Sequence, residues 1–88
     1  MSRFEKLLLR LLRGSTDANF AFDDLRHILL RLGFEERIKG SHHTYRKAGV
    51  EHKVVLQPDG KDAKPYQVRQ VRNVIVANGL GGEDEQPV

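Results

Sequence analysis

From Phe34 to Leu56 the apolar residues repeat at a period near two, and on either side they repeat at three to four. That switch limits the fold more than any single motif. Side chains alternate across a strand, whereas a helix returns to the same face every three or four residues. Leu25, Ile28, Leu29 and Leu32 form one helical stripe, with Asp23 or Asp24 expected as its cap and Gly33 as its stop. The spacing then predicts strands over 34–39, 42–47 and 51–57, the last built around Val54-Val55-Leu56. Gly40-Ser41 reads as a tight turn or bulge, Ala48-Gly49-Val50 as a hairpin connection, and Pro58-Asp59-Gly60 as the turn that ends the sheet. Pro65 opens a last helix with Val68, Val71, Val74 and Ile75 on one side and Arg69, Arg72 and Asn73 on the other. Asn78-Gly79 terminates it, and Leu80 is placed for the apolar contact that often follows a glycine cap.

Ahead of this unit, Phe4, Leu7, Leu8 and Leu11 make a further helical stripe among Arg3, Lys6, Arg10 and Arg13. The expected division is residues 1–21 as N-terminal helix and connector, 22–80 as the folded domain, and 81–88 as a disordered acidic tail. The fold class is α+β: a three-stranded antiparallel sheet with helices on one face, plus the extra N-terminal helix. Eighty-eight residues allow one domain, near the low end of what a single core can stabilise. No cysteine is present, which removes disulfides, thiolate metal sites and thiol nucleophiles and fits a cytoplasmic protein. Arg10 splits the run Leu7 to Leu12 far short of a membrane span, so no membrane partner is expected.

Charge is uneven along the chain. Residues 22–80 hold eleven cations and seven anions, while the tail holds Glu83, Asp84 and Glu85 with no cation. A mildly basic domain is compatible with nucleic acid. The chemistry concentrates in Lys39-Gly40-Ser41-His42-His43-Thr44-Tyr45-Arg46-Lys47. Two histidines in a surface strand are by default only polar strand residues, but parity separates this pair. Tyr45 is the largest apolar body in the strand and belongs against the helices, which carries His43 inward and leaves His42, Thr44 and Arg46 on the open face. An imidazole beside cations suits an anionic substrate. RNA carries its own nucleophile, the 2′-OH, so a residue that moves that proton beside groups that neutralise the phosphate needs no metal or other cofactor. Lys39 and Arg46 are the expected phosphate contacts, with Lys47, Arg69 and Arg72 as further RNA-binding candidates. Gly40 permits close backbone approach, and Ser41 either bonds a phosphate or completes the turn. His42 and His43 diverge and His52 adds no zinc spacing, so a metal site is not expected. His27 lies off its helical stripe and reads as a solvated surface residue.

From about Asp23 to Leu80 the chain resembles the HicA toxins of type II toxin–antitoxin systems. The features that carry the resemblance are Leu32-Gly33-Phe34, the basic segment before Gly40-Ser41-His42-His43, Tyr45, the apolar third strand and the late helix from Val68 to Ile75. The resemblance implies a double-stranded-RNA-binding-domain-like αβββα fold, metal-independent cleavage of messenger RNA, and neutralisation by a HicB-type antitoxin. It carries the catalytic role to His42, with Gly40 its structural neighbour. Two departures stand out. Many members place Pro-x-His after the third strand where this chain reads Gln57-Pro58-Asp59, and residues 1–21 are additional to the compact pattern. The N-terminal helix is open to three uses: covering a sheet edge, dimerisation, or reaching the antitoxin. A non-catalytic RNA-binding module of the same fold is the alternative function, and the oligomeric state is left open.

Overall fold

The computed structural model describes residues 2–14 and 17–80. The tail expected to be disordered lies outside the described residues. In chain order the elements are α1 (Arg3–Arg13), α2 (Phe22–Arg31), β1 (Glu35–Lys39), β2 (His42–Arg46), β3 (Val54–Leu56) and α3 (Pro65–Ala77). The sheet runs β1-β2-β3 with both pairings antiparallel, so each strand lies beside its neighbour in sequence. This is the α+β order read from the sequence.

The core lies between one sheet face and the helices. Tyr45, Val54 and Leu56 from the sheet meet Leu25, Ile28 and Leu29 of α2 and Val68, Val71 and Ile75 of α3, all completely buried. Burying such side chains stabilises a fold by about 1.5–3 kcal/mol each, which is how so short a chain offsets its ordering entropy. Leu80 packs on the same cluster, and its N–H bonds the Ile75 carbonyl at 2.9 Å past Gly79, which has φ 65°.

The extra helix belongs to this core. Leu11 is 1% exposed, Leu8 is buried, and α1 packs against α2 and α3. A capping box starts it: Glu5 N–H donates to Ser2 Oγ at 3.1 Å, and Ser2 N–H donates to Glu5 Oε1 at 2.9 Å. Arg3 pairs with Asp24 of α2 at 2.9 Å, and the Arg10 guanidinium lies over the Phe20 ring. The Arg72 Nε of α3 donates to the Leu11 carbonyl at 2.8 Å, while its other end pairs with Asp17 in the connector. The Leu11 carbonyl of α1 and the Asp17 side chain of the connector are thereby fastened to α3.

Three local expectations need correction. The α2 N-cap is Ala21, with no side-chain cap, and Asp23 and Asp24 sit inside the first turn, where their charges still favour the helix dipole. What fixes that start is tertiary: Phe22 N–H bonds the Lys61 carbonyl at 2.9 Å, and Ala63 N–H bonds the Phe20 carbonyl at 2.8 Å. The third strand is shorter than the alternation suggested, because only Val54–Leu56 join the β2 ladder and Glu51–Lys53 and Gln57 lie outside it. His27 is half-buried rather than solvated, and its Nε2 is enclosed without a hydrogen-bond partner among the described residues.

Candidate active site

A two-residue connection joins β1 to β2, and Gly40 within it has φ 60°, a left-handed conformation that costs a residue with a Cβ. The register that follows places Lys39 opposite His42, Arg37 opposite Thr44 and Glu35 opposite Arg46. On the other side Thr44 pairs with Val55 and His43 with Leu56, so Gln57, one position past β3, falls across from His42. Because Glu36, Tyr45, Val54 and Leu56 turn toward the core, the open face displays three rows across the sheet: Lys39–His42–Gln57, Arg37–Thr44–Val55, and Glu35–Arg46 with Lys53 alongside.

His42 is exposed, and its Nε2 lies 2.8 Å from the Gln57 side-chain nitrogen. The same amide nitrogen reaches Ser41 Oγ at 3.5 Å. Next to this row, Glu35, Glu36, Arg37, Thr44, Arg46 and Lys53 line a depression of about 430 Å³. Arg37, Lys39, Arg46 and Lys53 make no ion pair among the described residues, whereas Arg3, Arg26, Arg69 and Arg72 of the helical layer each hold a carboxylate. Unneutralised guanidinium and ammonium groups around an accessible imidazole form a surface for a polyanion and offer a proton carrier within it.

The inward face has a different character. His43 is 14% exposed, meets the Phe22 ring edge-on at 5.0 Å, and has its Nδ1 3.7 Å from Glu36 Oε2. Glu36 accepts from Arg26 Nε at 2.7 Å and from the other guanidinium arm at 2.9 Å, and it takes the Tyr45 hydroxyl hydrogen bond at 2.6 Å. The hydrogen bonds from Arg26, aided by that from Tyr45 and by the Arg26 charge, hold the Glu36 carboxyl down at about 2, against the opposing effect of burial. Burial, reinforced by the Glu36 carboxylate, pushes the Tyr45 hydroxyl well above its ordinary value. A cavity of about 450 Å³ adjoins His43, lined in part by Phe22, Asp23, Arg26, Pro58 and Lys61. Among the described residues no three His, Asp or Glu side chains converge as a metal site.

The structure thus brings His42, Lys39 and Arg46 together on one face, with Gly40 and Ser41 in the turn that leads into them. It takes other candidates elsewhere. His43 and Lys47 alternate to the helical side, and the Lys47 ammonium lies over Gly33, 2.9 Å from where a Cβ would stand. Arg69 reaches Asp17 at 3.5 Å, and Arg72 is fastened to Asp17 and Leu11, so both belong to the packing of α1 on α3 rather than to the His42 face. Arg37, Lys53 and Gln57 join the site although the sequence reading passed over them. Counting two residues at a time from His42 and crossing the hairpin register would have found all three.

A family model for the HicA toxin of bacterial toxin–antitoxin systems matches residues 22–76, more than half of the chain. The chain belongs to the HicA toxin family. The match begins at the first residue of α2 and ends one residue short of the end of α3, so α1 lies outside the HicA pattern while contributing Leu8 and Leu11 to its core. HicA toxins act as one half of a pair with an antitoxin. Comparison with curated proteins and with solved structures finds no match. No helix among the described residues is long and apolar enough to cross a membrane.

Proposed function

We propose that this HicA domain is a metal-independent endoribonuclease that cleaves messenger RNA in the cytoplasm, with His42 as its acid–base residue. The observation that supports it most is the placement of an accessible His42 in a row with Lys39 and Gln57, on a sheet face whose cations make no ion pair among the described residues. Neutral imidazole takes the proton from a ribose 2′-OH, and the 2′ oxygen attacks the adjacent phosphorus. The P–O5′ bond breaks, and the departing 5′ oxygen leaves as a hydroxyl after gaining a proton from imidazolium or solvent. A 2′,3′-cyclic phosphate and a 5′-OH result. Lys39 and Arg46 hold the non-bridging oxygens, whose negative charge grows as the bond to phosphorus forms. Arg37 and Lys53 hold the neighbouring backbone. A HicB-type antitoxin would silence this activity.

The test is cleavage of RNA by purified protein in EDTA, followed by analysis of the new ends. General acid–base assistance contributes roughly 10²–10⁴-fold, so His42→Ala is expected to lose cleavage on that scale and keep its fold, because His42 is exposed. His43→Ala should keep the cyclic-phosphate product. Parental rates in His42→Ala would sink the assignment, and loss in His43→Ala alone would move the chemistry to the cavity beside Phe22. Binding without any cleavage would make the domain a passive RNA-binding module.

A further inference from the structure

The contact between His42 and Gln57 has a chemical direction. A side-chain amide nitrogen carries two hydrogens and no acceptor lone pair, so at 2.8 Å it donates, and the ring Nε2 must accept. Acceptance requires neutral imidazole with its proton on Nδ1. A half-turn of the same amide presents Oε1, which accepts from an Nε2–H. Glutamine can therefore satisfy Nε2 whether that nitrogen bears a proton or not, which neither a carboxylate nor an ammonium can do. The Ser41 hydroxyl oxygen, 3.5 Å from the amide nitrogen, gives the amide a second anchor in the turn.

We propose that Gln57 is a positioning residue for His42: its amide holds Nε2 in either tautomer, and once a half-turn sets Oε1 to accept from Nε2–H, the Nδ1 lone pair is free to take the proton from substrate and return it. The proposal rests on His42 being the acid–base residue. It follows from the fold, because Gln57 is the residue that antiparallel pairing sets across from His42 on the open face. The other charged groups facing that ring are Lys39 across the β1–β2 pair and, further along the face, Arg37, Arg46 and Lys53. The Glu35 carboxylate stands two rows away, opposite Arg46. Gln57→Glu would thus place the first carboxylate beside His42. It could only accept, would pin the proton on Nε2, and would favour imidazolium.

The experiment combines nitrogen-15 NMR of the full-length protein, labelled at histidine, with pH–rate profiles of RNA cleavage. The parent should show a His42 tautomer with a defined bias between its ring nitrogens. In Gln57→Glu that resonance should titrate at higher pH than in the parent, because the added carboxylate favours imidazolium. The limb of the pH–rate profile that reports the free base should move by the same amount. Gln57→Leu should lose the tautomer bias and lower kcat about tenfold, with KM nearly unchanged because no phosphate contact is removed. If the resonances and the pH profiles of both variants match the parent, Gln57 does not position His42 and the inference is overturned. The NMR readout does not depend on cleavage. If the ring responds to Gln57 while His42→Ala cleaves normally, the pairing stands and the catalytic reading falls.

Discussion

Replacing Glu36 with glutamine isolates one charge in the most enclosed polar cluster of the protein. The side chain is 15% exposed, holds Arg26 through both carboxylate oxygens and accepts from the Tyr45 hydroxyl. Its carboxyl is held at about 2 where 4.5 is ordinary. A depressed carboxylate stabilises the fold fully above its unfolded value, and that contribution is lost as pH falls through the folded one. The window therefore runs from about pH 5 down to about pH 2. The shift corresponds to stabilisation on the order of 2–3 kcal/mol after allowance for residual exposure, and more than half is gone by pH 3. Glutamine keeps the shape and its oxygen can still accept from Tyr45 and Arg26 Nε, but its amide nitrogen cannot accept from the other guanidinium arm, so Glu36→Gln should remove this contribution together with that hydrogen bond. Asp23, 3.3 Å from the same guanidinium, limits the loss at neutral pH. Urea unfolding followed by circular dichroism at pH 7, 5, 4 and 3, at constant ionic strength, measures both proteins. The variant should be less stable by about 2 kcal/mol at pH 7 and converge with the parent toward pH 3. Because Glu36 turns away from the open face, kcat well below the melting temperature should not change. Parallel stability curves from pH 7 to pH 3 would refute the reasoning, since Glu36 would then titrate alike in both states.

Two further outcomes are expected. Leu11→Ala should cost about 2–5 kcal/mol in the same unfolding assay, because the helix outside the HicA match supplies a nearly fully buried side chain; a loss under 1 kcal/mol would mean that α1 is only loosely attached. Arg46→Ala and Lys53→Ala should weaken RNA binding and flatten the plot of log K against log salt by roughly 0.7 for each phosphate contact removed. Arg69→Ala, whose guanidinium faces Asp17, should leave that slope alone, and an equal drop would place RNA on the helical side.

What could be read from the sequence was what depends on neighbours in the chain. Tyr45 had to turn inward because nothing else in its strand was large and apolar, and that placed His42 outward before any register was known. The apolar stripes of α2 and α3 were legible for the same reason. What escaped depends on contacts between distant segments. Asp23 and Asp24 have cap chemistry, yet the helix begins at Phe22 because the 60–63 segment bonds the backbone there. Arg72 looked like a surface cation, since no local pattern shows that Asp17, 55 residues away in sequence, will meet it. Lys47 was counted with the RNA contacts on charge alone, although parity already set it on the side of Tyr45. Gln57 has no intrinsic signal, and it gains significance only when pairing sets it across from an imidazole.

The uneven pairing of charges bears on how a substrate arrives. Arg3, Arg26, Arg69 and Arg72 of the helical layer have nearby carboxylates that weaken their fields at a distance, whereas Arg37, Lys39, Arg46 and Lys53 of the sheet face make no ion pair among the described residues. On the proposed reading, a polyanion diffusing nearby would experience a torque as well as an attraction and would meet the sheet turned toward His42. Such pre-orientation raises association rates by about 10–10³-fold and fades as salt shortens the reach of the field. The acid at Glu36 contributes in reserve: by answering Arg26 on the helical side, it stays off the outer face, where among the strand residues only Glu35 opposes the cations.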